Sequence, residues 1–365
     1  MLCLVEGITH RGEGVGRVQG QVVFIPHAIP GETVEVDIRE RKKTYLRAQL
    51  KEVVAASPDR IEPACPYYYK CGGCSYQHMR YDRQLELKRQ VVRDNLARLG
   101  GLEVQVEPVA GMDNPWRYRN KVEWHVAREN HGYQMGYHIQ DSQELLPIEG
   151  CLLIGEAMEA LSRYLQQHLK ELGLPERSRI TVRQSFANGE LMLVLAGTGM
   201  EQVDIQPLVG YPDLASVYCI DRGRVIHKYG RLTLTDRLAG IDYEISPLAF
   251  FQVNHRQAEM LIDIVKDYAQ ASPSKNVLEG YCGIGTISLH LARDAGSVIG
   301  VESYPGAVAD ARANARRNHI SNCRFIAGAC EKVIPDLKES FDVAVLDPPR
   351  AGCRKEVIEA VIKAA

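Results

Sequence analysis

Apolar positions fall into distinct regimes along the chain. In the first segment Val22 and Phe24, then Val34, Val36 and Ile38, alternate with other residues, the period of a half-buried strand. Gly12, Gly14, Gly16, Gly20 and Pro30-Gly31 supply turns between them. Several short strands in so few residues predict a small closed barrel over 1–56. A cysteine-rich segment spans 57–79. Leu85, Val92, Leu96 and Leu99 then share one helical face from Tyr81, and Gly100-Gly101 stops the helix, giving a helix at 80–101 that is expected to pack on the catalytic domain. Residues 102–245 mix strand-like runs at Lys121 to Val126, Ile180 to Gln184 and Leu191 to Leu195 with a strong helix near Glu156 to Leu172, and read as an α+β domain. From 246 to 365 the order becomes strand, helix, strand, helix, the pattern of a doubly wound sheet.

Composition narrows the classes. The 365 residues suit two or three domains. A net charge of −2 hides any nucleic-acid footprint, so basic patches must be local. Such stretches occur at Arg39 to Arg47, Arg117 to Lys121, and Arg222 to Arg231 with His227 and Lys228. Phosphate contacts from them would give salt-dependent affinity without sequence choice. Interleaved Tyr118 could stack on an unpaired base. The chain has no apolar run of about 18 residues and no charged-then-apolar leader, which predicts a cytoplasmic protein with no membrane partner. Ten cysteines in such a chain read as metal ligands, reactive thiols or buried thiols before disulfides.

Two motifs carry chemistry. Cys65, Cys71 and Cys74 are spaced C-x5-C-x2-C, and Gly72-Gly73 lets the backbone bend so that two thiolates face one centre. Cys151 is the natural fourth ligand. Zinc and an iron–sulfur cluster both accept four thiolates, and spacing alone leaves both open. Further on, Val277 to Gly280 reads as a strand, and Tyr281-Cys282-Gly283-Ile284-Gly285 as a glycine-rich turn before a helix. Glu302 ends the next strand, about twenty residues on, where an acid meets ribose hydroxyls. Ser288 stands where a dinucleotide fingerprint wants its third glycine, which favours S-adenosylmethionine. A strand at Asp342 to Leu346 ends in Asp347-Pro348-Pro349-Arg350. Enzymes that methylate amino groups carry an aromatic residue after the prolines to stack on the base. Arg350 there argues against an exocyclic nitrogen acceptor.

Together these motifs resemble the RNA 5-methyluridine methyltransferase family, with TRAM domain and [4Fe-4S] cluster, over essentially the whole length. The resemblance implies a multidomain α/β chain: an N-terminal TRAM or OB-like barrel, a central α+β RNA-binding domain, and a C-terminal Rossmann-like methyltransferase domain left incomplete at Ala365. It implies a [4Fe-4S] cluster on Cys65, Cys71, Cys74 and Cys151, with zinc as the alternative. Phe250-Phe251-Gln252-Val253-Asn254 is similar to the segment whose glutamine contacts the cofactor. Tyr281, Gly283, Gly285, Glu302 and Asp347 complete the S-adenosylmethionine set. Two departures stand near that pocket: Glu279-Gly280 where aspartate and an apolar residue are usual, and Cys330 where alanine is usual.

C5 of uracil is a poor nucleophile, and the family activates it by adding a cysteine thiolate to C6, with a glutamate as base. The resemblance places both beyond Ala365, so the chain as given is expected not to turn over. Cys282 is expected to face the methionine end of the cofactor, Cys353 lacks the right context, and Cys323 is expected to be buried. Asp342 to Leu346 would form an apolar sheet edge open to aggregation. Val357, Ile358, Val361 and Ile362 mark a helix over 354–365. The expected partner is RNA, rRNA ahead of tRNA, bound by a monomer. A tRNA uridine methyltransferase and a non-catalytic RNA-binding protein with a structural cluster are the alternatives. A radical methylthiotransferase would want C-x3-C-x2-C and no separate cofactor loop.

Overall fold

The computed structural model describes residues 1–129 and 132–364, and divides into two units: Met1–Asp113 with Met135–Cys151, and Asn114–Gln134 with Leu152–Ala365. In the first unit β1 (Leu2–Ile8), β2 (Gly14–Val18), β3 (Gln21–Ile25), β4 (Thr33–Arg41) and β5 (Tyr45–Ala55) close a barrel in the order β1-β2-β3-β5-β4. The alternation seen in sequence is the reason: Val34, Val36, Val23, Ile25 and Leu46 all point inward and are buried. Gly16 lies where a Cβ would meet the Leu4 carbonyl at 2.4 Å, so only glycine lets β2 lie against β1.

Helix α1 (Tyr81–Gly100) ends at Gly101, whose φ of 64° is left-handed. Its packing differs from the expected stripe. Leu87 is the fully buried residue, while Val92 and Leu99 are 48% and 84% exposed. The helix thus docks through its first half, beside Met79 and Ile29, and the Val92-to-Leu99 half of the stripe faces outward.

A buried ion pair ties the barrel to the segment after it. Glu32 is fully buried; its carboxylate accepts two hydrogen bonds from Arg60, at 2.5 and 2.7 Å, and one from the Ile29 N–H at 3.0 Å. Arg60 also donates to the His27 carbonyl at 2.8 Å.

In the second unit β6 (Lys121–Glu129) begins the central sheet. The chain then runs along β7 (Gly132–His138), whose residues Gly136 to His138 belong to the first unit and pair there with β8 (Leu145–Pro147). Helix α2 (Glu156–Leu172) buries Met158, Leu161, Leu165, Leu169 and Leu172, the spacing of one helical face. It precedes β9 (Arg179–Gln184), β10 (Leu191–Gly197), β11 (Leu214–Asp221) and β12 (Arg224–Gly230). Within this unit the sheet order runs β12-β11-β10-β9-β6, with β10 and β11 parallel and the other pairs antiparallel.

A hairpin of β13 (Leu234–Leu238) and β14 (Ile241–Ile245) leads into the last domain. There α3 (His255–Ala269), β15 (Asn276–Gly280), α4 (Thr286–Ala292), β16 (Ser297–Glu302), α5 (Pro305–Arg317), β17 (Cys323–Ala327), α6 (Cys330–Val333), β18 (Val343–Leu346) and α7 (Lys355–Ala364) alternate. The parallel sheet has the order β17-β16-β15-β18, so β18 ends it, as expected of that strand. Helix α7 buries Val357 and packs Val361 beside it, but Ile358 and Ile362 are 46% and 71% exposed, so only half of the expected face is engaged. Ala365 lies outside the described residues.

Removing one partner of a buried ion pair strands the other charge, a loss of about 3–5 kcal/mol. Glu32→Ala is therefore expected to destabilise the protein by that amount, read from the urea midpoint; a loss under about 1 kcal/mol would show that water already solvates Arg60.

Candidate functional site in the parallel-sheet domain

The register of β15 with its neighbours assembles the crevice. Gly280 pairs with Val301 on one side and Leu346 on the other, so Tyr281, Glu302 and Asp347 all follow directly from the carboxyl ends of adjacent parallel strands. That is where open α/β sheets bind ligands. Tyr281 has φ 66°, Gly283 54° and Gly285 84°, which together fold the turn back on itself. At Gly285 a Cβ would press on Phe325 at 3.1 Å, and at Gly280 on Leu346 at 2.7 Å.

Glu302 is not a merely solvated strand-end acid. One carboxylate oxygen accepts the Gly283 N–H at 3.1 Å, and the other accepts the Tyr304 N–H at 2.8 Å and the Ser303 hydroxyl at 3.0 Å. Each oxygen has two lone pairs, so the one that accepts the Gly283 N–H can still take a ligand hydroxyl, and the carboxylate is only partly covered. Asp347 is exposed at the crevice edge.

Gln252 follows the buried Phe251 in the irregular strap after β14. Phe251 is buried in one core cluster with Cys282, Ile284 and Phe325, which sets the 249–254 strap beside the turn. The hairpin before the strap is fastened to α5 by two buried polar residues. Asp310 accepts from the Ser246 N–H and hydroxyl, and Asn314 accepts from the Glu244 N–H while donating to the Ile284 carbonyl. Neither was singled out in sequence, because a polar residue on a helix reads as a solvated face. A cavity of about 550 Å³ also lies in this unit, lined by Phe186, Asp236, Arg237, His255, Glu259 and Arg317 among others; none of the sequence-derived cofactor residues borders it.

Cys282 departs from its expected place. It packs among Ile284, Phe325 and Ala311 rather than facing a ligand, and burial pushes its thiol far up. Cys323 opens β17, is partly rather than fully buried, and has its pKa pushed up to about 12 by burial. The thiols near the turn are therefore held neutral. Glu279 explains its own presence. It is 2% exposed, takes a hydrogen bond from the Ser288 hydroxyl on α4, and has its pKa pushed up to about 8 by burial, the Asp347 and Glu302 carboxylates adding.

In the first unit Cys65, Cys71, Cys74 and Cys151 lie near enough for their charges to interact, Cys151 acting on each of the other three. The 65–74 turn is set by hydrogen bonds from the Tyr68 N–H to the Cys65 carbonyl at 3.1 Å and from the Cys71 N–H to the Tyr67 carbonyl at 2.8 Å. The Gly73 N–H points at the Cys71 sulfur at 3.4 Å. Among the described residues, however, no three His, Cys, Asp or Glu side chains close on a single metal position. Four neighbouring sulfur side chains are nonetheless the donor type that a thiophilic centre takes.

The basic stretches are less free than their sequence suggests. Lys42 pairs with Glu40, Arg47 with Glu13, Arg117 with Glu159, Arg224 with Glu201 and Arg231 with Glu190. These pairings reduce the positive charge left to meet phosphate. Among the described residues no helix is long and apolar enough to cross a membrane.

Residues 1–51 match the TRAM domain model and 271–363 match a methyltransferase domain model. An uncharacterized RNA methyltransferase of Clostridium tetani is 35% identical over 387 residues, spanning 99% of this chain and 84% of its own length. One of Listeria monocytogenes is 36% identical over 385 residues, spanning 98% and 84%. The chain belongs to this family of RNA methyltransferases. A solved structure with the same fold is the Pyrococcus abyssi tRNA (uracil-54, C5)-methyltransferase in complex with S-adenosyl-L-homocysteine: TM-score 0.79, 24% identity, 99% of this chain and 88% of that one. The TRAM barrel and the methyltransferase domain expected from sequence are thus both present in this RNA methyltransferase.

The Glu279 carboxyl gives a pH test. Below pH 4.5 it is protonated in both folded and unfolded chains. From 4.5 to about 8 the folded protein keeps the proton that the unfolded chain has lost, so stability falls as pH rises through that window. Glu279→Gln, which still accepts from Ser288, is expected to stabilise the protein at pH 9 by on the order of a few kcal/mol. Near pH 4.5 its urea midpoint should match the parent's; a gain independent of pH would contradict the buried-acid account.

Proposed function

We propose that this RNA methyltransferase transfers a methyl group from S-adenosylmethionine to C5 of a uridine, most readily in 23S rRNA. The observation that carries the reading is the convergence of Tyr281, Glu302 and Asp347 at the carboxyl ends of β15, β16 and β18, over a turn bent by Gly283 and Gly285. S-adenosylmethionine bound there supplies an electrophilic methyl group. Glu302 meets the ribose hydroxyls, Gln252 contacts the cofactor from the strap, and Asp347 lies beside the acceptor base. Arg350 after the prolines, in place of an aromatic residue, supports a ring carbon as acceptor. The TRAM barrel and the remaining cations serve the RNA backbone, and the target base is flipped out of its stack. The protein works as a cytoplasmic monomer.

The Pyrococcus enzyme that shares the fold is a tRNA methyltransferase, which favours a second reading, a uridine of tRNA. Deleting the gene in its host and digesting rRNA and tRNA separately to nucleosides decides between them. Mass spectrometry is expected to show 5-methyluridine lost from one position of 23S rRNA. Loss from tRNA alone would select the second reading, and retention of every such mark would refute both.

The reading includes a [4Fe-4S] cluster on Cys65, Cys71, Cys74 and Cys151, with zinc as the alternative. Bound to four thiolates, the cluster would staple the 65–74 turn to the chain at Cys151. Protein purified without oxygen is expected to be brown, with broad absorption in the blue and iron by elemental analysis. Cys71→Ser should lose both; stoichiometric zinc in a colourless protein would select the alternative.

A further inference from the structure

The strap that carries Gln252 has no ladder of its own. Residues 249–253 belong to no helix or strand, and Asn254 makes one isolated bridge, to Arg119. Its conformation must come from outside, and two nearly solvent-free side chains of the central sheet supply it. Arg183, on β9 and 3% exposed, donates to the Ala249 carbonyl at 2.7 Å. Asn120, just before β6 and fully buried, donates its side-chain amide to the Gln252 carbonyl at 2.9 Å. The Asn120 N–H also donates to the Val253 carbonyl at 3.0 Å, and its carbonyl accepts the Gln184 N–H at 2.8 Å. Lys121 and Arg183 are opposed in register, so the two clamps stand on neighbouring strands.

Side chains along the strap alternate. Phe250 is 64% exposed, Phe251 is 1% exposed in the core, and Gln252 is partly exposed. Phe251 fixes which way the strap faces, and the bond to the Gln252 carbonyl fixes where along that path the glutamine stands. A backbone carbonyl held by a buried amide cannot rotate without leaving that amide without a partner.

We infer that Asn120, backed by Arg183, is a positioning residue that holds Gln252 where it meets the cofactor. The inference rests on the proposed cofactor contact of Gln252. Asn120 also lies inside the basic stretch Arg117 to Lys121, so the residue that sets the cofactor strap belongs to a segment assigned to RNA. Nothing in its own surroundings makes it a catalytic residue; it acts through Gln252.

The test is a double-mutant cycle on the full chain, read by calorimetric titration with S-adenosylhomocysteine. Asn120→Ala is expected to weaken binding about tenfold, the equivalent of one hydrogen bond with its geometry. Asn120→Asp keeps the size and both main-chain bonds but turns an acceptor toward the Gln252 carbonyl, and is expected to weaken binding at least as much. It carries the test should the alanine variant not fold. Gln252→Ala should bind weakly as well, and adding either Asn120 change to it should cost no more than about twofold further. Unchanged affinity in both Asn120 variants, or losses that add in the double variant, would overturn the inference alone. Unchanged affinity in Gln252→Ala would instead overturn the cofactor role of Gln252, and the inference with it.

Discussion

The crevice depends on one carboxylate at the end of β16. Glu302 gathers the Gly283 N–H from the turn after β15 and the Tyr304 N–H from the start of α5, so two loops from adjacent strands share one acceptor. Without it the positive-φ turn would have to hold its bend unaided, and the main-chain donors would face the crevice unpaired. The parallel register then does the rest. Because Gly280 is level with both Val301 and Leu346, three successive loop starts lie side by side at one end of the sheet. Ligand chemistry at this place follows from register plus a carboxylate, before any particular base is considered.

The parallel sheet does not complete the crevice by itself. The strap after β14 is irregular chain, and irregular chain is precise only where buried partners define it. The hairpin β13–β14 is fastened to α5 through Asp310 and Asn314, and the strap to the central sheet through Arg183 and Asn120. Each of these four residues leaves its carbonyl or N–H partner a single well-defined place. This explains why these polar side chains are buried within otherwise apolar cores: they replace the missing ladder.

Much of the architecture was legible because it rests on period and punctuation. The barrel strands alternate, α2 repeats its leucines on one face, and the glycine turn sits between a strand and a helix. The expected TRAM barrel and methyltransferase domain follow from that. What failed to show in sequence depends on neighbours distant along the chain. The stripe of α1 is a helical face, yet burial falls on Leu87 because only the first half of the helix meets Met79 and Ile29. Cys282 occupies a turn expected from sequence to face a ligand, but a residue's side chain can leave the turn on either side, and here it enters the core with Phe325. Basic runs look free when read in order, whereas acids from other strands, such as Glu13 against Arg47, meet them in space. Asn120 read as part of a basic stretch and Arg183 as one residue of a strand, and only the folded sheet shows both buried against the strap.

Glu279 shows how a local departure can be absorbed without moving the site. An acid at the end of β15 could point into the crevice or back into the core. The extra methylene of glutamate over aspartate gives its carboxyl reach, and it ends against the Ser288 hydroxyl on α4. Its pKa, pushed up to about 8, keeps it neutral over most of the physiological range, so it adds no third negative charge beside Glu302 and Asp347. A neutral acid also donates, and a hydroxyl both donates and accepts, so the pair satisfies itself whichever way the proton lies. The turn geometry is left to Gly283, Gly285 and Glu302. At Glu279, one of the positions expected to depart from the family pattern, the side chain has been turned into a fastening between β15 and α4.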